Sequence, residues 1–394
     1  MASFGGASQD GVADAVRVQF FSKNPKFQQP RFFEDYAVRV SVLQQPASFS
    51  VRLSGRDGSA ELLQALPNNT KFQLFVGLLP QFTGYTDAQT GNGSNGSTAV
   101  TIKGRDVIGK LFSNDVNAEQ SFTNVTYKRV VEAALNNVGL DATKVIVENS
   151  KNKEIRTGFR VREVAVPIVS SEVVRTDGSA VVKHVVRAKL GESWLDFVRR
   201  HIAKAGLFVW CDFEGNIVLS SPNPNQTPLF QWVRERGTLN GRVNVFDAQY
   251  LNDTTNRFSE VVIYARNGGR HSGRGKLHGG FVDQEMVDLG IEQLKVYRDV
   301  NVTSVKEAEF YARRKIAEAN RASFHLSYTF SGHTAPALYG GRGVISPDTV
   351  VHIKDDEFGI NERMYIESVE YKSPPQTTTV TLMRLKDLIF GADS

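Results

Sequence analysis

The stretch from Gly191 to Pro222, GESWLDFVRRHIAKAGLFVWCDFEGNIVLSSP, constrains the chain most, because it reads as a helix that delivers directly into a β-hairpin. Ser193 is placed as an N-cap with Asp196 at the reciprocal capping-box position. Trp194, Phe197, Val198, Ile202 and Ala205 then recur at three- and four-residue spacing, so they form one apolar stripe. Arg199, Arg200 and Lys204 take the other face, and Gly206 can adopt the positive φ that stops a helix. Leu207 to Phe213 is rich in aromatic and β-branched residues, Glu214-Gly215-Asn216 is a turn, and Ile217 to Leu219 leads out. Nothing in the unit is a reactive group. A lone hairpin is marginal in water, so its strands require further sheet.

The segments before it supply strand signals. Val16 to Phe20, Tyr36 to Leu43, Phe49 to Leu53, Lys71 to Val76, Phe82 to Asp87 and Val100 to Lys103 are short and alternating, with a helix at Ala60 to Leu66. Thr90 to Ala99, TGNGSNGSTA, reads as a flexible hairpin tip by composition. Such spacing argues for an antiparallel barrel or sandwich rather than alternating β and α units. From Gly104 to Gly206 the character is mixed: a helix from Thr126 with Val130, Val131, Ala134, Leu135 and Val138 inward and Gly139 as its stop, then Phe159 to Val169, then a valine-rich hairpin around Thr176-Asp177-Gly178. Beyond Pro222, strands at Arg257 to Ala265, Glu292 to Val300, Ala322 to Ser331, Thr349 to Ile353, Arg363 to Tyr371 and Thr377 to Leu385 flank a helix capped by Ser304 with Glu307. That helix buries Ala308, Tyr311, Ala312, Ile316 and Ala319. The expected fold class is β-rich α+β, with two similar antiparallel β-barrels joined by inserted mixed α/β segments. The expected division is 1–103 plus 207–222 as a discontinuous first barrel, 104–206 as an inserted α/β domain, and 223–394 as a second barrel carrying a helix at 304–320.

At 394 residues the chain exceeds one ordinary core. No apolar run approaches the roughly 20 residues a membrane helix needs, so no membrane insertion is expected. The start, MASFGGASQDGVADA, lacks the basic and apolar regions of a secretory signal, and the single cysteine, Cys211, cannot form an internal disulfide; synthesis and folding in a reducing cytoplasm are expected. A net charge of +5 does not by itself imply nucleic-acid binding.

Direct inspection finds no catalytic constellation, metal site or cofactor. Gly104-Arg-Asp-Val-Ile-Gly109-Lys110 matches the first positions of a phosphate-binding P-loop, yet Leu111 replaces the hydroxyl that would ligate magnesium. The plainer reading ends a strand at Gly104 and turns Val107, Ile108 and Leu111 inward on a helical turn. The histidines at 184, 201, 271, 278, 325, 333 and 352 form no i, i+4 metal-ligand pair. Glu34-Asp35 and Asp355-Asp356-Glu357 are consecutive carboxylates that point different ways, unlike a glycosidase pair. Cys211, inside a strand, reads as inert. Arg266, Arg270, His271, Arg274 and Lys276 lie in a Gly-rich basic loop without the aromatic platform of a single-strand binder. Arg266, Arg270, Arg274 and Lys276 are the candidate interface residues, meeting a neighbour's carboxylates at an assembly rim.

The order of FSVRL, ELLQALPNN, KFQLFVGLLPQFTGYTD, TIKGRDVIGKLFSND, FTNVTYKRVVEAAL, the helix-to-hairpin unit, SFHLSYTFSGH and DTVVHIKDDEFGINERMYIESVEYK resembles the baseplate hub proteins of contractile phage tails, most closely those of Mu-like phages. The resemblance runs over nearly the whole chain, and a remoter one reaches the amino-terminal part of type VI secretion spike proteins. It implies a homotrimeric ring that adapts a six-fold tail tube to a three-fold central spike. The implied partners are the tail tube protein or a tube-terminating distal protein, the spike and baseplate wedge proteins, with DNA only in transit through an axial channel. The implied place is the virion baseplate, after assembly in the host cytoplasm. Some hubs carry a cell-wall hydrolase, and no segment here is expected to hold one. The competing classes are a carbohydrate or cell-wall hydrolase on a β scaffold and an OB-like nucleic-acid-binding protein.

Overall fold

The computed structural model of the chain describes residues 15–23, 25, 28–29, 33–43, 46–54, 59–94, 97–117, 119, 121–123, 127–140, 145–147, 171–176, 179–202, 207–235, 245–265, 277–299, 302 and 304–388. In chain order, β1 (Val16–Phe20), β2 (Phe33–Ser41) and β3 (Ser48–Ser54) precede a short helix, α1 (Ser59–Ala65). Then come β4 (Lys71–Val76), the long β5 (Leu79–Ser94), β6 (Ser97–Asp106), α2 (Val107–Phe112), β7 (Ser121–Thr123), α3 (Tyr127–Asn137) and β8 (Val145–Val147). The hairpin β9 (Ser171–Thr176) and β10 (Ser179–Arg187) leads to α4 (Trp194–Ile202), β11 (Phe208–Cys211) and β12 (Ile217–Ser220). After these lie β13 (Phe230–Arg234), β14 (Val245–Asn252), β15 (Glu260–Ala265), β16 (His278–Val282), α5 (Gln284–Asp288), β17 (Leu294–Asp299) and α6 (Val305–Ser323). The last strands are β18 (Phe324–Ser331), β19 (Thr334–Pro336), β20 (Arg342–Val344), β21 (Thr349–Asp355), β22 (Ile360–Ser373) and β23 (Thr377–Arg384).

One 12-stranded sheet dominates, in the order β1-β4-β5-β6-β3-β2-β22-β23-β18-β14, with β21 also on β22 and β13 on β21. The fold is therefore β-rich α+β, and its large sheet is mainly antiparallel. Two separate barrels were expected from the strand signals. Instead β2 pairs with β22, Tyr36 opposite Ser373 through Ser41 opposite Ser368, so both strand-rich segments share one sheet. Among the described residues no sheet closes into a barrel. The buried face is correspondingly continuous: Phe20, Val38, Phe49, Phe72, Ile102, Phe230, Trp232, Tyr328, Ile366 and Val380 belong to a single core. Burial of that apolar area, worth about 25 cal/mol per Å², holds the two segments together.

The hairpin of β11 and β12 also departs from expectation. It does not add to the large sheet; β12 pairs in parallel with β8, forming a three-stranded sheet. Val209, Cys211, Ile217 and Leu219 on one of its faces join Val130, Val131, Trp194, Phe197 and Ile202 in a second core. Trp210 and Val218 on the other face pack with Val42, Val350, Tyr365 and Met383, so the hairpin is a wedge between two cores. Strand alternation at full burial on both sides explains why a local reading could not assign its partner.

The helical expectations hold for the described residues except at Ala319, which is only half-buried while Ala317 is buried. The Asp196 backbone N–H donates to Ser193 Oγ at 3.1 Å, and Trp194 is 2% exposed. Ser304 caps α6 by accepting from the Glu307 N–H, and α6 buries Ala308, Tyr311, Ala312 and Ile316 against Val261 and Ile263. Gly139 takes φ of 71° after α3, as a helix stop does. Two boundaries move. Helix α6 runs to Ser323 and passes into β18 without a loop, the Phe324 N–H donating to Asn320 O. The Gly/Asn/Ser-rich tip is paired further than its composition suggests, with Asn92 opposite Ala99 and Ser94 opposite Ser97, because the β5–β6 ladder continues outward from a core-anchored register. Thr126, Phe159 to Val169 and Gly206 lie outside the described residues.

Candidate functional site

The second face of the large sheet is the feature with functional content. Cross-strand registers define its rows. Asp247, Thr329, Thr379, Glu370, Arg39, Ser48 and Arg105 stand side by side across β14, β18, β23, β22, β2, β3 and β6. A second row runs Gln249, Ser327, Thr381, Ser368 and Ser41. One residue along, Tyr328, Val380, Val369 and Val40 are buried, as strand alternation requires. Arg39, Ser48 and Asp247 of the first row are exposed, whereas Ser327, Ser368 and Ser41 of the second are buried, on the face where Val350, Tyr365 and Met383 meet the β11–β12 hairpin.

Among the described residues, β1 pairs only with β4 and β14 only with β18. On β14, Phe246, Tyr250 and Leu251 are exposed at 77%, 41% and 57%. An edge strand with exposed apolar residues is a template for pairing with another chain.

A buried polar seam fixes the halves where β2 meets the later strands. Thr378 Oγ1 donates to Gly332 O at 2.7 Å, so it accepts from His333 Nδ1, also at 2.7 Å. That leaves His333 Nε2 as the acceptor of the Tyr36 hydroxyl at 2.6 Å. Nearby, the Tyr371 hydroxyl donates to Ile345 O at 2.6 Å, with Gln81 Oε1 at 3.2 Å. Its burial pushes the Tyr371 hydroxyl pKa well up, keeping it a donor.

A second polar cluster ties the β16-β15-β17 sheet to the rest. Arg257, 2% exposed, donates to Asn320, Asp283 and Glu285, and Glu285 also meets Arg384 and Lys386. Burial pushes the Glu285 carboxyl up, but Arg257 and Lys386 outweigh it and hold the pKa at about 2.

The decoys resolve structurally. Gly104 lies in β6, where a Cβ would stand 2.0 Å from Tyr85 O, so close strand approach explains the glycine. Asp106 caps α2 by accepting from the Gly109 N–H; Val107, Ile108 and Leu111 are buried, and Lys110 sits over the Tyr85 ring at 3.9 Å. Asp355 is 1% exposed and accepts from Tyr328 and Arg234, so it is internal scaffolding, while Asp356 and Glu357 beside it are exposed. Cys211 is buried. A cleft of 540 Å³ between β1 and α1 is lined by Phe21, Lys23, Glu61, Gln64, Asn68 and Lys71, and offers no opposed carboxylate pair. Among the described residues no group of three or more His, Cys, Asp or Glu could hold a metal ion. Arg266, Arg270, Arg274 and Lys276 lie outside the described residues. The seam histidine and Arg257 escaped sequence reasoning, since each acquires its role from partners far away in the chain.

Comparison with solved structures gives this arrangement a class. The 43 kDa tail protein of prophage MuSo2 from Shewanella oneidensis superposes with a TM-score of 0.70 at 17% identity, over 95% of this chain and 99% of that one. The tail protein from Neisseria meningitidis MC58 gives 0.67 at 19% identity, over 95% and 98%. An E. coli component of the type VI secretion system, itself similar to T4 tail proteins gp27 and gp5, gives 0.50 at 11% identity, over 93% and 76%. No protein-family model matches the sequence, and no curated protein sequence matches it. The chain has the fold of prophage tail proteins, the fold expected from the resemblance in its sequence.

Proposed function

We propose that this chain is the structural hub of a contractile-tail baseplate, present in the virion as a homotrimeric ring around an axial channel. The observation that carries the reading is the large sheet itself: one core-packed face, a second face that is polar outside the area covered by the β11–β12 hairpin, and exposed apolar residues on β14. The fold likeness to prophage and type VI components supports it. Six strands, β1-β4-β5-β6-β3-β2, lie on one side of the β2–β22 junction and six, β22-β23-β18-β14 with β21 and β13, on the other. On this reading each subunit offers two comparable, barrel-like units, so three copies approximate six-fold symmetry toward the tube while remaining three-fold toward the spike. The polar face then forms the channel wall over which DNA passes, and β14 meets a sister subunit. Residues 104–222, with their own core, are assigned as the inserted unit.

The partners on this reading are the tail tube or its distal protein, the central spike and the baseplate wedges, and the protein acts without catalysis. Permanent interfaces of this kind bury about 2,000 Å² or more. Sedimentation velocity at micromolar concentration, with negative-stain imaging of the same sample, is the test. A three-copy ring with an open centre is expected; a stable monomer overturns the reading.

A further inference from the structure

Register shifts in the large sheet place carboxylates beside arginines on its polar face. Glu34 is the unmatched residue of the shift between Phe33 and Asp35, and its Oε2 lies 2.9 Å from Arg52 Nε. Asp87 is the unmatched residue between Thr86 and Ala88, with its Oδ2 2.6 Å from Arg105 Nε. Glu367 occupies a third shift, between Ile366 and Ser368, where it is buried and burial pushes its carboxyl pKa up against the opposing pull of Arg321 and Arg39. A β-bulge re-aims one side chain out of the regular alternation, and here the same device repeatedly delivers a negative charge. Lys372 is met by Glu370 on the same strand face at 2.9 Å.

Folding accounts little for the Arg52–Glu34 and Lys372–Glu370 pairs, while Arg105 is also held by Ser113 Oγ at 3.0 Å. Arg52 and Glu34 are 46% and 45% exposed, and Lys372 and Glu370 are 50% and 32% exposed. Exposed pairs contribute about 0–1 kcal/mol, while each bulge interrupts the ladder. Stripped of their carboxylates, Arg52, Arg105 and Lys372, with Lys103 between them on β6, would be a basic strip on a flat polar surface. Such a strip binds duplex phosphates by counterion release.

We propose that Glu34, Asp87 and Glu370 keep this face from holding nucleic acid, each occupying a cation that would otherwise capture a backbone phosphate. The proposal rests on the channel reading of the same face. A duplex moving over the wall then meets paired charges whose fields decay within the roughly 8 Å screening length at physiological salt.

The test is a triple variant, Glu34→Gln, Asp87→Asn and Glu370→Gln, titrated with a short fluorescent DNA duplex between about 0.05 and 0.2 M salt. The wild-type protein should show no saturable binding. The variant should bind, with log K falling against log salt at a slope of about −2.7, or 0.9 for each of three new phosphate contacts. Adding Arg52→Gln, Arg105→Gln and Lys372→Gln should abolish the gain. If the triple variant proves unstable, Glu34→Gln and Glu370→Gln alone, both at exposed sites, should each give about one third of that slope. Wild-type binding as tight as the variant's, or no gain in any variant, overturns the proposal. Sedimentation of the same samples separates the two readings: a monomer that gains binding removes the ring and upholds the charge pairing, whereas a ring that gains none removes the charge pairing alone.

Discussion

Tyr36→Phe tests whether the two strand-rich segments are locked by the buried seam. The substitution deletes one hydroxyl and keeps the ring, which packs edge-on to His333 and Phe33 with centroids 5.9 Å away in both cases. His333 is 0% exposed, so no water replaces the lost donor at Nε2. Leaving a buried acceptor unsatisfied costs about 1–3 kcal/mol. Urea unfolding followed by fluorescence reads this out, since Trp232 sits in the same core as Tyr36 while Trp194 reports the other. With a slope of about 2–3 kcal/mol/M, a loss of about 2 kcal/mol moves the midpoint by about 0.7–1 M. His333→Leu removes the acceptor, so the double variant should cost less than the sum of the singles by at least about 0.5 kcal/mol. A single-variant loss below about 0.5 kcal/mol, or strict additivity, would show that the seam hydrogen bond does not couple the segments.

Trp194→Ala should destabilise the second core by about 3–5 kcal/mol. The residue is 2% exposed and packs edge-on to Phe197 at 5.8 Å, and a calorimetric trace unchanged by the substitution would mean that α4 presents another face inward. Glu285 predicts a pH dependence: its folded pKa of about 2 lies below the ordinary 4.5, so its contribution is present above pH 4.5 and is lost as the pH falls toward 2. Glu285→Gln should therefore lower the melting temperature at pH 6 and converge on wild type near pH 2; parallel curves throughout that range would refute the assignment.

What the sequence made legible was local. The Ser193 and Ser304 caps, the α4 and α6 stripes and the alternating strands are set by contacts within a few residues, and each appears where its pattern places it. Pairing was not legible. β2 and β22 meet across more than three hundred positions, and either strand alone is satisfied equally by a separate barrel, so the single sheet emerges only from tertiary packing. The β11–β12 hairpin shows the same limit from the other direction. Its apolar residues on both faces signal full burial without naming the neighbour, which proves to be β8 on a different segment. Glu34 reads as one of two consecutive carboxylates and Asp87 as a strand end until the register shows that each is an inserted residue whose carboxylate reaches an arginine. His333 was one of seven scattered histidines, and its role depends on Tyr36, 297 positions away.

The edge chemistry of the large sheet ties these features to assembly. Proteins that work as monomers guard edge strands with lysine, proline or a covering element, because an open ladder recruits other chains. β14, VFDAQYLN, has neither lysine nor proline, and its exposed Phe246 and Leu251 flank a ladder that among the described residues is paired on one side only. An isolated copy would thus expose the surface most prone to uncontrolled pairing. A head-to-tail ring covers that edge in every copy at once, because closure by rotation leaves no terminal subunit. On the proposed hub reading the sheet's other face needs the opposite property, since a wall that cargo crosses must not bind it. On that reading the same strands would meet both demands by position alone: apolar residues on the edge strand, for a neighbour to cover, and paired charges on the exposed part of the second face, where cargo would pass.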